Sequence, residues 1–262
     1  MHFIKQNLKK IFAKFGYEVS YADKNPKMYR YCLKGAISVK KPFNIIQVGA
    51  NDGKHNDPIY DFVKSHKECT NIVLVEPIST VIPYLRKNYS YHPSSKVINK
   101  AIGNQNYSSV RLYGIEQSYW DNIDVNYGND WPDYRIPTGI TTADKSRLLN
   151  WISKNVRSNN DPSDIIKEID IEVAHPDSIV NESEDMNDVH LLQVDAEGMD
   201  HEIVYSFFDA SVFPNIVNIE SSKLNQTEDE KYNAELTKRG YSIYEHRVGE
   251  KLAIKHKREC QV

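Results

Sequence analysis

Two carboxylates and a histidine follow the apolar run 190–194 at a spacing that would suit proton transfer. Asp195, Glu197 and His201 would lie where a strand ends, above the sheet to which that strand belongs. A carboxylate or an imidazole at such a place can act as the general base that removes the weakly acidic proton of an alcohol. Structural explanations compete with this one: Glu197 could pair with a basic neighbour or cap the next helix, and His201 could face solvent.

A divalent cation is the alternative means of removing the same proton. Asp195 ends one predicted central strand and Glu220 ends its neighbour, so both side chains could enter one crevice and bind Mg²⁺. We favour the metal-free version, in which Asp195 or Glu197 takes the proton. Sites for hard cations usually recruit more oxygen ligands than this, and Lys223, which follows Glu220 closely, would repel a cation.

A turn bounded by glycines comes directly after the apolar run 44–48, and its residues are Gly49, Ala50, Asn51, Asp52 and Gly53. Glycines let the backbone turn tightly and approach a bound ligand without a clash at Cβ. By itself such a turn is weak evidence for a ligand, and an ordinary loop between a strand and a helix is the simpler interpretation.

Glu76 and Pro77 end the next apolar run, 71–75. An acidic side chain at this position can accept hydrogen bonds from both ribose hydroxyls of an adenosine ligand. Taken alone, Glu76 would more simply be a carboxylate facing solvent. The glycine turn and the carboxylate on consecutive strands together predict a nucleoside ligand.

The glycine pattern discriminates between two nucleoside ligands. NAD needs its pyrophosphate cradled by a Gly-x-Gly-x-x-Gly turn at a helix N-terminus. Asn51 occupies the second glycine position here, and the third falls on His55 or Asn56. S-adenosylmethionine (SAM) has no pyrophosphate, and its cationic amino acid tail suits carboxylates such as Asp52 or Asp195. The turn therefore favours SAM as the cofactor.

An irregular stretch, 116–169, contains all three tryptophans of the chain, and within it a helix is predicted over 143–156. Long insertions in α/β domains are usually lids or binding elements. Trp120, Trp131 and Tyr134 could form an aromatic platform for the CH face of a sugar acceptor. Alternatively, they could anchor the insertion to the core.

Apolar runs alternate with helical patterns over 44–239, which predicts right-handed βαβ units. The last two runs, 241–245 and 251–255, are joined by a turn and predict an antiparallel pair. The predicted fold class is α/β: a class I, Rossmann-like methyltransferase fold. It would have a mostly parallel seven-stranded sheet, helices on both faces and an antiparallel C-terminal edge.

Length and composition bound the remaining possibilities. The 262 residues suit one large α/β domain, and the apolar stretches are far shorter than the roughly 20 residues that span a bilayer. No signal peptide is recognisable. Three cysteines without close pairing indicate reduced thiols and do not support a zinc site. We predict a cytoplasmic protein without a nucleic-acid partner.

The first 41 residues are strongly basic, with ten Lys or Arg side chains against two acidic ones. Apolar residues recur at helical spacing from Phe3 to Phe15, which predicts an amphipathic helix. We therefore predict a basic N-terminal helical region, 1–41, before a catalytic domain, 42–258. The helix would pack on that domain, pack on a second copy in a homodimer, contact an anionic membrane surface, or steer a phosphorylated substrate.

The motifs resemble, in order, those of the FkbM family of SAM-dependent methyltransferases. The matching segments are 45–53, 73–77, 97–103, 138–142, 191–200, 216–220 and 239–241. The combination of Asp195-Ala196-Glu197-Gly198 with Glu76-Pro77 is fairly specific to that family.

The resemblance implies positions for the cofactor and the acceptor. Gly49, Asn51, Gly53, Glu76 and Ala101 would surround SAM, while Asp195 would lie near its methionine end and Glu197 near the acceptor. Family members methylate hydroxyls, commonly on sugars and sometimes on polyketides. We expect O-methyl transfer to a sugar in a glycan or glycoconjugate. An O-methyltransferase of a lipid or polyketide and an NAD-dependent sugar oxidoreductase are the alternatives.

Overall fold

The computed structural model describes residues 27–125, 131–181, 186 and 188–256. The amphipathic helix predicted between Phe3 and Phe15 lies outside these residues and stays a prediction. In chain order the elements are α1 (Met28–Val39), β1 (Phe43–Val48), α2 (Tyr60–Ser65), β2 (Thr70–Val75), α3 (Ile82–Asn88), β3 (Ser95–Ile98), β4 (Ala101–Ile102), β5 (Ser109–Ile115), α4 (Arg135–Gly139), α5 (Lys145–Asn155), β6 (Ile166–Ala174), α6 (Pro176–Asn181), β7 (Leu191–Val194), α7 (Asp200–Asp209), β8 (Ile216–Glu220), α8 (Gln226–Lys238), β9 (Tyr241–Arg247) and β10 (Glu250–Lys255).

Seven strands form the main sheet in the order β3-β2-β1-β7-β8-β10-β9. β3, β2, β1, β7 and β8 pair in parallel, and β10 runs antiparallel to both of its neighbours. The fold is therefore the predicted class I methyltransferase fold, with its antiparallel C-terminal edge. The strand order reverses between β1 and β7, and ligands of open α/β sheets bind where the order reverses.

Both faces of this sheet are covered, which explains the nearly continuous apolar sequence of its central strands. Every residue of β1, β2 and β7 is buried. On one face, Tyr29 and Leu33 of α1 pack against these strands. On the other face, helices α7 and α8 supply residues such as Phe207 and Leu236. The predicted helices on both faces are confirmed.

A second sheet, in the order β4-β6-β5, stands beside the main one. Strand β5 pairs antiparallel with β6 and does not join the main sheet. β6 begins at Ile166, so the last part of the predicted insertion is regular structure. The predicted helix of the insertion is α5, and the Asp144 side chain caps it by accepting from Ser146 N and Arg147 N.

Among the residues described, no helix combines the length and the apolar character that crossing a membrane requires.

Candidate functional site

The glycine turn lies where three strands end together. Gly49 N donates to the carbonyl oxygen of Val75 at 2.9 Å, and Asp195 N donates to that of Val48 at 3.0 Å. Gly49 has a φ of +74°, and a Cβ on it would overlap the carbonyl oxygen of Asp195. Only glycine allows this approach of two backbones. The turn therefore fixes the position of Asp195 relative to β1.

Glu76 is buried beside this turn. Its Oε2 accepts from Asn51 N at 2.7 Å, and its Oε1 accepts from Ile78 N at 2.8 Å. Burial raises the pKa of Glu76 to about 7, against the lowering effect of these two hydrogen bonds. Each carboxylate oxygen has a second lone pair. Glu76 can therefore still accept hydrogen bonds from a diol.

An inner cavity of about 270 Å³ opens between the turn and the second sheet. Six of the nine residues predicted to bind the cofactor line it: Gly49, Asn51, Glu76, Pro77, Ala101 and Asp195. Its far wall includes Val110 and Leu112 of β5 and Val173 of β6. The inner cavity therefore combines one polar side with an apolar side, as a nucleoside would need.

The other three predicted cofactor residues, Ala50, Asp52 and Gly53, support the turn from behind. A Cβ on Gly53 would lie 2.6 Å from side-chain atoms of Leu85 and Tyr89. The buried carboxylate of Asp52 accepts from His55 Nδ1 at 2.5 Å and from Tyr134 Oη at 3.0 Å. Burial tends to raise the pKa of Asp52, but hydrogen bonds from His55 and from backbone amides leave it below its ordinary value. Asp52 thus holds the turn in place.

Glu197 adopts a left-handed backbone conformation, with a φ of +51°. Its carbonyl oxygen accepts from Arg147 Nη1 at 2.9 Å and from Thr142 Oγ1 at 3.3 Å. A non-glycine residue in this region is strained, and such strain persists only where surrounding contacts impose it. The insertion that carries Arg147 and Thr142 therefore fixes the backbone of Glu197.

Asp195, Glu197 and Glu220 form an acidic cluster in which one oxygen of each lies within 4.8 Å of the others. Burial raises the pKa of Asp195 well above its ordinary value, and the charges of Asp200, Glu197 and Glu220 raise it further. Burial also raises the pKa of Glu197, and the nearby Lys223 ammonium opposes that rise. Buried carboxyl groups whose pKa values are raised in this way are common at functional sites.

Lys223 supplies positive charge to this acidic cluster. Its Nζ lies 3.2 Å from Glu197 Oε2 and 3.8 Å from Glu220 Oε1. The predicted metal ligands Asp195 and Glu220 are thus adjacent and, with Glu197, could offer three carboxylates to a divalent ion. The ammonium already compensates two of them, which weakens the case for a metal.

Asp200, which the sequence did not single out as a site residue, ties the loops of the site together. Its buried carboxylate accepts from Gly198 N at 3.2 Å, from Ala196 N at 3.4 Å and from Glu220 N at 3.3 Å. Burial raises the pKa of Asp200 to about 6. Asp200 therefore positions both the 195–198 loop and the end of β8.

His201 lies apart from these carboxylates. It follows Asp200 in α7, and its ring stands edge-on to Tyr205 with 5.9 Å between centroids. It is not among the described residues that line the inner cavity or the larger cleft beside it. The structure thus brings Asp195 and Glu197 together and leaves the third predicted catalytic residue outside.

That larger cavity, the outer cleft, measures about 900 Å³. It lies between α1, the acidic cluster and the turn that joins β9 to β10, and most of its lining side chains are polar or charged. Arg135, Gly139, Asp195 and Glu197 line both the inner cavity and the outer cleft. The two spaces therefore meet at Asp195 and Glu197.

The three aromatic residues predicted to bind the acceptor have different environments. Trp120 donates from Nε1 to Ile115 O at 3.1 Å and packs in an apolar cluster of the insertion. Tyr134 donates to Asp52 and stacks on Tyr84 with 3.9 Å between centroids. Trp131 lines the outer cleft, with the Arg135 guanidinium 5.4 Å from its ring centroid. Only Trp131 is placed to contact an acceptor in this cleft.

Arg135 is a site residue that the sequence analysis missed. It lies in α4, donates from Nε to His55 O at 3.3 Å and contributes to the wall shared by both cavities. Burial raises the pKa of Glu76 and of Asp195, and the positive charge of Arg135 opposes both increases. No local sequence motif identifies Arg135, because its role depends on the packing of the insertion against the glycine turn.

Comparison with known proteins supplies the family. The methyltransferase FkbM domain matches residues 47–243, whereas no curated protein matches the sequence. Among solved structures, a precorrin-6y C5,15-methyltransferase from Geobacter metallireducens is 8% identical with a TM-score of 0.40, covering 87% of this chain and 86% of that one. Human methyltransferase-like protein 13, solved in complex with SAH, is 10% identical with a TM-score of 0.40, covering 88% and 82%. On the extent of the domain match, the chain belongs to the FkbM family of methyltransferases.

Proposed function

We propose that this protein transfers the methyl group of SAM to a hydroxyl of a sugar in a glycan or glycoconjugate. The observation that carries the proposal is the meeting of the inner cavity and the outer cleft at Asp195 and Glu197. A cofactor on one side and an acceptor on the other would face each other across these carboxylates. Alignment of two reactants in this way can supply much of the rate acceleration.

The lining of the inner cavity supports SAM as the cofactor. Glu76 would accept from the ribose hydroxyls, and Pro77 and Ala101 would lie along the nucleoside. The Asp195 carboxylate would compensate the positive charge of the methionine portion of SAM. The Arg135 guanidinium would pair with the carboxylate of that same methionine portion. When bound, SAM supplies an electrophilic methyl group.

The residues of the acidic cluster would manage the acceptor proton. Glu197 and Asp195 line the outer cleft, and their raised pKa values bring them towards the range in which a general base works best at neutral pH. The Lys223 ammonium would stabilise the ionised form of Glu197, both before Glu197 accepts the acceptor's proton and after it releases that proton again. In this scheme the chain's own side chains remove the proton, without a metal ion.

The polar lining of the outer cleft favours a sugar over a lipid or polyketide acceptor. Asn56, Gln193 and Asn218 contribute amide groups there, together with several charged side chains. An apolar acceptor would displace water from the charged side chains without offering hydrogen bonds in its place, which is costly. The methyltransferase family assignment argues against the NAD-dependent oxidoreductase.

The test is an incubation with SAM labelled in its methyl group and a panel of glycans, polyketides and lipids. We expect label in a glycan, stable to mild base as an ether is, and its loss in Glu197→Gln. A matched control is Glu168→Gln, on the exposed side of β6, which should retain activity. Label confined to lipids or polyketides would refute the sugar acceptor, and failure to bind SAM would refute the whole proposal.

A further inference from the structure

Helix α1 carries a basic stripe. Lys27, Arg30 and Lys34 recur at intervals of three and four residues, so they share one side of the helix. The stripe runs beside the apolar face through which Tyr29 and Leu33 enter the core. All three basic residues line the outer cleft. The fold therefore turns this stripe towards the cavity assigned to the acceptor.

The side chains of Arg30 and Lys34 make no ion pair or hydrogen bond within the described ranges, and both residues are exposed. Asp61 also lines the cleft, but no ion pair links it to either of them. Two further carboxylates of the cleft have partners of their own: Asp57 accepts from Gln47 Nε2 at 2.5 Å, and Glu250 lies 3.4 Å from Arg247 Nη1. The charges of the Arg30 and Lys34 side chains are thus not paired by any carboxylate in the described part of the chain.

The floor of the cleft adds a row of buried polar groups. Tyr29 donates to Gln193 Oε1 at 2.7 Å, and Asn218 donates to the same oxygen at 3.1 Å. His246, which is 1% exposed, lies with its Nε2 2.8 Å from Asn218 Oδ1. Its Nδ1 is buried and has no partner among the described residues. An unpaired buried nitrogen is costly, and a ligand hydroxyl in the cleft could satisfy it.

Among the residues described, the cleft thus presents two unpaired cationic side chains in addition to the acidic cluster. Asp195, Glu197 and Glu220 lie where the cleft meets the inner cavity, whereas Arg30 and Lys34 lie on the helix wall. We propose that the acceptor carries an anionic group, a phosphate or a carboxylate, which Arg30 and Lys34 bind while its reactive hydroxyl lies at Glu197. This inference rests on the proposed function and narrows its acceptor to an anionic sugar.

The experiment compares two double charge reversals. Arg30→Glu/Lys34→Glu removes the proposed anion site. Arg86→Glu/Lys87→Glu makes the same change at two exposed residues in the last turn of α3, outside the described lining of both cavities. Each protein, with SAH bound, is titrated with inorganic phosphate at constant ionic strength while its melting temperature is followed. Glucuronate replaces phosphate in a parallel series to distinguish a carboxylate from a phosphate.

We expect phosphate or glucuronate to raise the melting temperature of the wild type and of the Arg86/Lys87 variant. The Arg30/Lys34 variant should require at least about tenfold more anion, because charge-assisted hydrogen bonds are among the stronger ones. SAH affinity, measured by calorimetry, should be equal in all three proteins, which also shows that the variants are folded. If the reversal unfolds the protein, Arg30→Gln/Lys34→Gln gives the same comparison.

An equal response of all three proteins to both anions, or no response in the wild type, would overturn the inference. A wild type that responds to anions but does not bind SAH would instead overturn the proposed function. The two failures are therefore distinguishable.

Discussion

At the residue scale, the site depends on carboxyl groups whose burial shifts their protonation. Glu76, Asp195, Glu197 and Asp200 all have raised pKa values, and burial is the largest cause for each. Clustering of such groups in a cavity is characteristic of functional sites. It also makes ligand binding depend on pH.

The first prediction concerns Glu76. Its pKa of about 7 lies above its ordinary value of 4.5, so ionising it costs stability, and the free protein should lose stability as pH rises through this interval. Ribose hydroxyls donate to the ionised form. Affinity for SAM should therefore fall below pH 7, by up to about tenfold per pH unit. At pH 8, Glu76→Ala should weaken binding by about 1.5–3 kcal/mol.

Isothermal titration calorimetry from pH 5.5 to 8.5 measures both effects. Glu68→Ala, at an exposed carboxylate outside the described lining of both cavities, serves as the control and should follow the wild type. Unchanged affinity in Glu76→Ala would mean that the cofactor binds elsewhere.

The second prediction concerns Lys223. Because its ammonium compensates Glu197 and Glu220, methyl transfer should retain full activity after exhaustive EDTA treatment. Lys223→Ala should lose activity and, with three carboxylates left without that charge, gain affinity for Mn²⁺ detectable by electron paramagnetic resonance. Lys238→Ala, at the end of α8, is the control. Activity that disappears in EDTA and returns only with Mg²⁺ would reverse this assignment and make Asp195 and Glu220 ligands.

At the element scale, the backbone at Gly49 lies so close to the end of β7 that no side chain fits at this position. Gly49→Ala should displace the two strands, abolish SAM binding and lower the melting temperature by many degrees. Gly35→Ala is the matched change, since a Cβ at Gly35 meets no atom within 4 Å and the residue lies inside α1. Alanine there should be neutral or stabilising, by up to about 1 kcal/mol. Thermal melts and calorimetry check both; wild-type SAM binding in Gly49→Ala would contradict the described contact.

Two of the three tryptophans in the insertion, Trp120 and Trp131, should respond differently to substitution. Trp120→Ala removes an indole that packs in the apolar cluster of the insertion, so the free energy of unfolding should fall by roughly 1–3 kcal/mol. Trp131→Ala should leave the melting temperature nearly unchanged and raise the KM for the acceptor. Steady-state kinetics and thermal melts measure the two effects. The reverse outcome would show that Trp120, rather than Trp131, faces the acceptor.

At the scale of the whole molecule, residues of both sheets line the inner cavity. A cofactor that binds there only in the folded state should therefore stabilise the fold. Saturation at 100 times the Kd corresponds to about 2.7 kcal/mol. For a chain of this size, that should raise the melting temperature by roughly 5–10 °C. SAM and SAH should produce the shift and NAD should not. A shift with NAD alone would contradict the cofactor assignment.

The sequence predicted the main sheet well because its signals are local. The buried strands are recognisable as apolar runs. Each group of site residues directly follows its own strand in the sequence, after β1, β2 or β7. The sequence alone therefore predicts that Glu76 and Asp195 lie at the carboxyl ends of the parallel strands. The second sheet was missed because β4 is two residues long and β6 begins inside the stretch that the sequence analysis assigned to an irregular insertion.

The contributions of Arg135, Asp200 and Lys223 were harder to predict because each depends on contacts between distant segments. His201 illustrates the opposite error: its sequence neighbours lie in the site, but the helical turn that begins at Asp200 directs its ring towards Tyr205. Proximity along the chain did not guarantee proximity in the cleft.

The wall that Arg135 and Gly139 share between the two cavities also has a consequence for changing the acceptor by mutation. The same short helix, α4, lines both the inner cavity, where we propose that SAM binds, and the outer cleft, where we propose that the acceptor binds. Variants of α4 selected for a new acceptor should therefore alter SAM affinity as well, so that two properties change with each substitution. Helix α1, by contrast, lines the outer cleft but is not part of the described lining of the inner cavity. Substitutions in α1 should therefore change the choice of acceptor without changing the affinity for SAM.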